Sequence, residues 1–198
     1  MKILNLYAGI GGNRRLWGNN HEVTAVEIQP EIAAVYRKIY PQDTVIIGDA
    51  LNYLAENYKN FDFIWASPPC QSHSQYRHNV GILVKGFKAI IPDVSLYSII
   101  IFLKTYFKGC WCVENVKPYY PPLIEPTVIM QRHLFWTNKA IDKKNFPTDA
   151  IRTKNKISGF NEFEVIKNSK IKNKRQVLRN CVLPEIGKYI FEELTRND

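Results

Sequence analysis

Five short runs of β-branched and aromatic residues, separated by helical patterns and glycine turns, constrain the fold more than any other feature of the chain. Residues 2–7, 22–27, 44–47, 61–66 and 110–114 read as strands. Between them, residues 13–17 open a helix, 30–39 form one with Pro30 at its first position, 51–58 form another, and 93–107 a long one with Asp93 as N-cap. Strands and helices alternating at this spacing pair in parallel, with helices on both faces. The fold class is therefore α/β, an open, doubly wound, mostly parallel sheet. After Pro118 the pattern changes. Tyr119-Tyr120-Pro121-Pro122 is a packing turn, residues 127–130 and 133–137 are a closing pair of strands, and a last helix covers about 184–194.

Composition narrows the class. With 45 % hydrophobic residues in 198, the chain can bury a core and is no disordered tail. No apolar run approaches the roughly 20 residues needed to span a bilayer, and the first residues lack the apolar stretch of a secretory signal. The expectation is a soluble, cytoplasmic protein with no membrane partner. Its four cysteines (Cys70, Cys110, Cys112, Cys181) show neither disulfide-scaffold density nor zinc spacing, so no metal site is expected. The net charge of +9 is concentrated: residues 138–179 hold twelve basic residues against four acids, a surplus of eight. This stretch has no sustained period and reads as irregular. It is either a solvated surface or a phosphate-binding segment.

Chemistry-bearing residues fall at strand ends. Tyr7-Ala8-Gly9-Ile10-Gly11-Gly12 follows the first strand and would bring backbone amides up to a ligand. Glu27 ends the second strand, 18 positions after Gly9, near the spacing at which an acid meets ribose hydroxyls. Asp49, after the third, is placed to accept a hydrogen bond from an adenine amino group. Together these describe an adenosine pocket without a polyphosphate loop. The fourth strand ends in Ser67-Pro68-Pro69-Cys70-Gln71, where two prolines hold the backbone before a thiol that becomes nucleophilic if its pKa is lowered. The fifth ends in Glu114-Asn115-Val116, placing a carboxyl and an amide beside that thiol, as a polar heterocycle would require.

In this order the residues resemble the cytosine carbon-5 DNA methyltransferases. Residues 5–12 look like the first cofactor motif, Glu27 the second, Gly48-Asp49 the third and Pro69-Cys70-Gln71 the catalytic motif. Glu114-Asn115-Val116 looks like the cytosine-holding motif, Gln131-Arg132-His133-Leu134-Phe135 the arginine motif, and Arg179-Asn180-Cys181-Val182 the terminal motif. The resemblance implies a Rossmann-like class I fold and S-adenosylmethionine as cofactor, held by Tyr7, Ala8, Gly9, Ile10, Gly11, Gly12, Glu27, Ile28, Asp49, Ala50, Pro69, Asn180 and Val182. It implies catalysis by Cys70 as nucleophile and Glu114 as cytosine holder, with Asn115 orienting the Pro69–Cys70 backbone and Arg132 contacting the base carbonyl or polarising the site. Double-stranded DNA is the implied partner, its cytosine flipped out, with contacts from Gln71, Ser74, Arg77, Lys85, Lys170, Lys172, Lys174 and Arg175. The loop 72–86, with His73 and His78, would close over the nucleic acid.

Several positions depart from the family pattern. Asn5 stands for the usual acid and Tyr7 for Phe, and Arg132 alone represents a pair of arginines spaced one apart. The organisation implied is a catalytic and cofactor-binding core at 1–137, a short basic target-recognition segment at 138–178, and a motif and helix at 179–198 that return to the core. So reduced a recognition segment points to a short target site or a partner subunit. One branch of the family acts on tRNA, which makes a tRNA cytosine methyltransferase the alternative; another is a cofactor-binding nucleic-acid module without turnover. Restriction–modification is among the roles the resemblance spans.

Overall fold

Along β1 (Lys2–Leu6) four consecutive residues, Ile3 to Leu6, are buried, and the same holds along β4 (Phe63–Ala66). Successive strand side chains point to opposite faces, so an unbroken buried run requires both faces of the sheet to be covered. The computed structural model describes residues 1–146 and 163–196 and shows this arrangement. β2 (Glu22–Glu27), β3 (Thr44–Ile47) and β5 (Cys110–Val116) join β1 and β4 in parallel. β7 (His133–Thr137) then runs antiparallel to β5, and β6 (Val128–Met130) antiparallel to β7. The order is β3-β2-β1-β4-β5-β7-β6. Its direction reverses between β1 and β4, and a ligand crevice opens at such a reversal, outside the strands' carboxyl ends. The expected Rossmann-like, doubly wound fold is what the chain adopts.

α2 (Ala50–Asn57) and α4 (Ser95–Tyr106) cover one face, where Leu54, Leu96, Ile100 and Leu103 pack on Leu4, Leu6, Ile64 and Val113. α7 (Pro184–Thr195) covers the other, with Ile186, Ile190, Phe191 and Leu194 on Ile3, Val23, Phe63 and Trp65. α1 (Pro30–Ile39) lies beside it, its Tyr36 against Ala25. Pro30 at its start supplies no N–H where none is needed. Asp49 caps α2 by accepting from Asn52 N at 2.9 Å, and Asp93 accepts from Ser95 N at 3.0 Å at the start of α4.

Three sequence expectations are corrected. Residues 13–17 do not open an α-helix but make one 3₁₀ turn, Asn13–Leu16, followed by Gly18 at φ +83°. Tertiary contacts override local pattern here: Arg14 is drawn inward to Asp43, with Nε–Oδ2 and Nη2–Oδ1 both at 3.0 Å, and Tyr36 donates to the same carboxylate at 2.9 Å. The loop after Cys70 contains a π-helical turn, Arg77–Ile82, running into the single turn α3 (Leu83–Lys85). The basic stretch is not wholly irregular either. α5 (Phe163–Lys167) and α6 (Lys174–Asn180) lie in it, and Ile166, Ile171 and Val177 pack on Ile10, Ile32 and Val35. Within the stretch, residues 147–162 lie outside the described residues.

Removing one partner of a buried ion pair strands the other charge, at a cost of about 3–5 kcal/mol. Asp43→Ala is therefore expected to lower unfolding free energy by about that amount in urea titrations. A loss below about 1 kcal/mol would mean that Arg14 finds water or another acceptor at no cost.

Candidate active site

The turn after β1 carries the backbone through left-handed conformations at Tyr7 (φ +54°), Gly9 (φ +56°) and Gly11 (φ +79°). Glu27, at the end of β2 and 7 % exposed, braces this turn: its carboxylate accepts from Gly9 N at 3.0 Å and from Gln29 N at 2.9 Å. Burial raises its pKa, while the backbone N–H groups of Gln29, Gly9 and Ile28 oppose the rise. Each carboxylate oxygen keeps a further lone pair for a hydroxyl donor. A side chain at Gly9 would meet no atom within 4 Å, so the backbone there is open to a ligand. Gly11 is glycine for another reason, because a Cβ would lie 2.3 Å from the ring of Tyr40.

Tyr7, Gly9, Glu27, Ile28 and Gln29 line a cleft, open to solvent, at the carboxyl ends of β1, β2, β4 and β5. Of the residues expected to hold the cofactor, Tyr7, Ala8, Gly9, Ile10, Gly12, Glu27, Ile28, Pro69, Asn180 and Val182 line it. Gly11, Asp49 and Ala50 do not: Gly11 packs on Tyr40, Asp49 caps α2, and Ala50 is buried beneath the helix start.

Three of the four catalytic candidates, Cys70, Glu114 and Asn115, meet in the same cleft. β4 and β5 are neighbours, with Ala66 opposite Val113, so Cys70 and Glu114-Asn115 follow from adjacent strand ends and all line the cavity. Asn115, 1 % exposed, donates from Nδ2 to Pro68 O at 3.0 Å and ties β5 to the strand end that carries the thiol. Burial is the first cause, and the Glu114 charge the second, that push the Cys70 thiol up to about 11, against the pull of Arg132. Burial lifts Glu114 to about 7, although the Ser67 hydroxyl and Arg132 favour its ionised form. A carboxyl at that value is available near neutral pH both as a proton donor and as an acceptor. Arg132 itself is outside the cavity lining; its guanidinium donates to Arg179 O.

Sequence reasoning missed two neighbours of Glu114. Trp65 Nε1–H donates to Ser67 Oγ at 2.9 Å, which turns the Ser67 hydroxyl proton towards Glu114. His133 Nε2 lies 3.6 Å from Glu114 Oε1. Both residues stand inside quoted motifs, but only the pairing of β4, β5 and β7 brings them to the carboxyl.

The residues expected to touch nucleic acid are dispersed. Gln71 lines the cleft, Ser74 pairs with Pro118, and Arg77 donates to Lys88 O at 2.9 Å while lying 5.6 Å from the Phe87 ring centre. Lys85, Lys170, Lys172 and Arg175 are exposed, whereas Lys174 is partly buried and donates to Lys167 O. His73 meets Tyr120 Oη at 2.5 Å and His78 stacks on Tyr119, so neither imidazole faces a metal cluster. Among the described residues no group of His, Cys, Asp and Glu could hold a metal ion, and no helix is long and apolar enough to cross a membrane.

No curated protein matches the chain. A DNMT2 variant of Spodoptera frugiperda is 28 % identical over 59 % of this chain and 35 % of its own, with a TM-score of 0.41. Entamoeba histolytica methyltransferase EhMeth is 18 % identical over 59 % of this chain and 38 % of its own, TM-score 0.38. Aeropyrum pernix fibrillarin, solved with natively bound S-adenosyl-L-methionine, is 12 % identical over 58 % and 45 %, TM-score 0.36. The chain thus spans little more than a third of the DNMT2 chain's length. The family described as C-5 cytosine-specific DNA methylase matches residues 1–117, which hold the glycine turn, Glu27, Cys70 and Glu114. S-adenosylmethionine is the cofactor of that family, and the open Gly9 backbone, the braced Glu27 carboxylate and the exposed apolar Ile28 fit its adenosyl half. With more than half of its length matched, the chain belongs to the C-5 cytosine-specific DNA methylase family.

Proposed function

We propose that the chain methylates carbon 5 of cytosine in double-stranded DNA through a covalent adduct with Cys70. The observation that carries this reading is the meeting of Cys70, Glu114 and the glycine turn braced by Glu27 in one cleft. S-adenosylmethionine, when bound, supplies a methyl group made electrophilic by a sulfonium. The remaining chemistry belongs to the chain. Carbon 5 of cytosine is a poor nucleophile, so the Cys70 thiolate adds at carbon 6 while Glu114 gives its proton to ring nitrogen 3. The neutral enamine so formed is nucleophilic at carbon 5, which takes the methyl as the methyl–sulfur bond breaks and its electron pair stays on sulfur, leaving a neutral thioether. A base then removes the carbon-5 proton, the carbon 6–sulfur bond breaks with its electron pair returning to Cys70, and nitrogen 3 returns its proton to Glu114. The Asn115–Pro68 hydrogen bond holds the thiol's backbone in place during addition and expulsion.

The base reaches this cleft only when flipped out of the duplex, at a cost of a few kcal/mol. Exposed Lys170, Lys172 and Arg175 lie on the segment that also delivers Val177 and Asn180 to the cleft, which suits them to phosphates beside the flipped base. Incubation with methyl-labelled S-adenosylmethionine and, separately, duplex DNA, single-stranded DNA and total tRNA tests the reading. Label is expected in the cytosines of duplex DNA. Label in tRNA alone would replace the proposed substrate, and label in none would leave a binding module or a subunit that needs a partner.

A further inference from the structure

Glu114 stands opposite Phe135 in the antiparallel pair of β5 and β7, and Val116 opposite His133. Positions two apart on a strand share a face, so His133 and Glu114 project to the same side of the sheet. The His133 ring is 1 % exposed, its Nε2 lies 3.6 Å from Glu114 Oε1, and its Nδ1 has no hydrogen-bond partner. Leaving a buried ring nitrogen unpaired costs free energy that a leucine or phenylalanine of similar volume would avoid. The geometry points to a task for the imidazole beyond filling space.

We propose that His133 is a positioning residue for Glu114: an uncharged polar ring against the carboxyl, which leaves it able to keep a proton where a fixed cation at the same place would remove it. This rests on the reading of Glu114 as proton donor given above. The groups around the carboxyl are the Ser67 hydroxyl from the end of β4, Cys70 beyond it, Cys112 on the same strand, Arg132 and His133 from β7 and the turn before it, and Cys181 before α7. Arg132 and the Ser67 hydroxyl already favour ionisation, and a second cation in contact would complete it. The ring meets the requirement of neutrality, since burial, with Arg132, pushes the imidazole down to about 3.

The test is an NMR titration of the free protein, with carboxyl-¹³C glutamate and ¹⁵N histidine, Glu114 being assigned by its disappearance in Glu114→Gln. Glu114 is expected to titrate near 7 and His133 to stay neutral from about pH 5 to 8. His133→Gln, neutral and polar, should leave the Glu114 midpoint within about half a unit, and His133→Arg should lower it by roughly 1–3 units. Protonation of His133 in that window, or a folded His133→Arg protein with Glu114 unmoved, overturns the proposal. If the buried arginine prevents folding, the wild-type titration and His133→Gln decide, a full-unit shift in the latter counting against it. His133→Phe is further expected to lower kcat roughly tenfold with KM unchanged and His133→Gln to restore it, whereas equal rates for all three would make the ring structural. The titrations need neither nucleic acid nor cofactor, so absence of methyl transfer with these midpoints would count against the proposed function alone.

Discussion

Cys70→Ser is expected to reduce methyl transfer to cytosine by roughly 10⁴-fold or more while leaving the fold and S-adenosylmethionine binding in place. The two side chains differ by one atom, and the position is only partly buried, so packing changes little. What changes is the nucleophile. A thiol held at about 11 has a small thiolate population at neutral pH, yet a serine hydroxyl has essentially none, and the charge on Arg132 that favours the thiolate cannot close that gap. Transfer by the serine variant within about tenfold of wild type would mean that the cleft methylates without covalent addition.

Glu114→Gln should have the next largest effect, a loss of roughly 10²–10⁴-fold, because the amide keeps the carboxyl's shape but has no proton to give ring nitrogen 3. The pH dependence carries the sign. The productive form holds one proton on the Cys70–Glu114 pair, on the carboxyl, and its share of the singly protonated pair does not vary with pH. Below about 7 a second proton occupies the pair, and above about 11 none remains. The wild-type kcat/KM is therefore expected to rise through about 7, level off and fall above about 11. In Glu114→Gln the lower limb disappears and the residual rate climbs with pH towards the thiol's value. A variant that keeps the inflection near 7 would assign it to another group.

How much of this was legible beforehand depended on where the determining contacts lie. β2, α1 and β3 match their sequence readings residue for residue, because β-branched runs and Pro30 at a helix start are local signals. The 3₁₀ turn Asn13–Leu16 was hidden because its geometry follows from the pull of Asp43, 29 positions from Arg14. α5 and α6 were hidden because helices of five and seven residues are too short for a period to emerge from a lysine-rich background. In the cleft, the meeting of Cys70, Glu114 and Asn115 was readable from ordered motifs. Ser67 and His133 were not, since each gains its meaning from a cross-strand neighbour. Asp49 carries a role that its motif does not reveal, for a carboxylate at a helix start readily caps the helix.

The central claim is a bond between Cys70 and carbon 6 of cytosine, and trapping that bond tests it most directly. In 5-fluorocytosine the carbon-5 hydrogen is replaced by fluorine, which a base cannot remove, so the adduct formed after methyl transfer persists. A pool of duplex DNA of random sequence carrying 5-fluorocytosine, incubated with the protein and S-adenosylmethionine, is expected to yield a denaturation-resistant complex. Peptide mass spectrometry should place its attachment at Cys70, and Cys70→Ser should form none. Methylation of ordinary cytosine without such a complex, or a complex attached elsewhere, would contradict the covalent route.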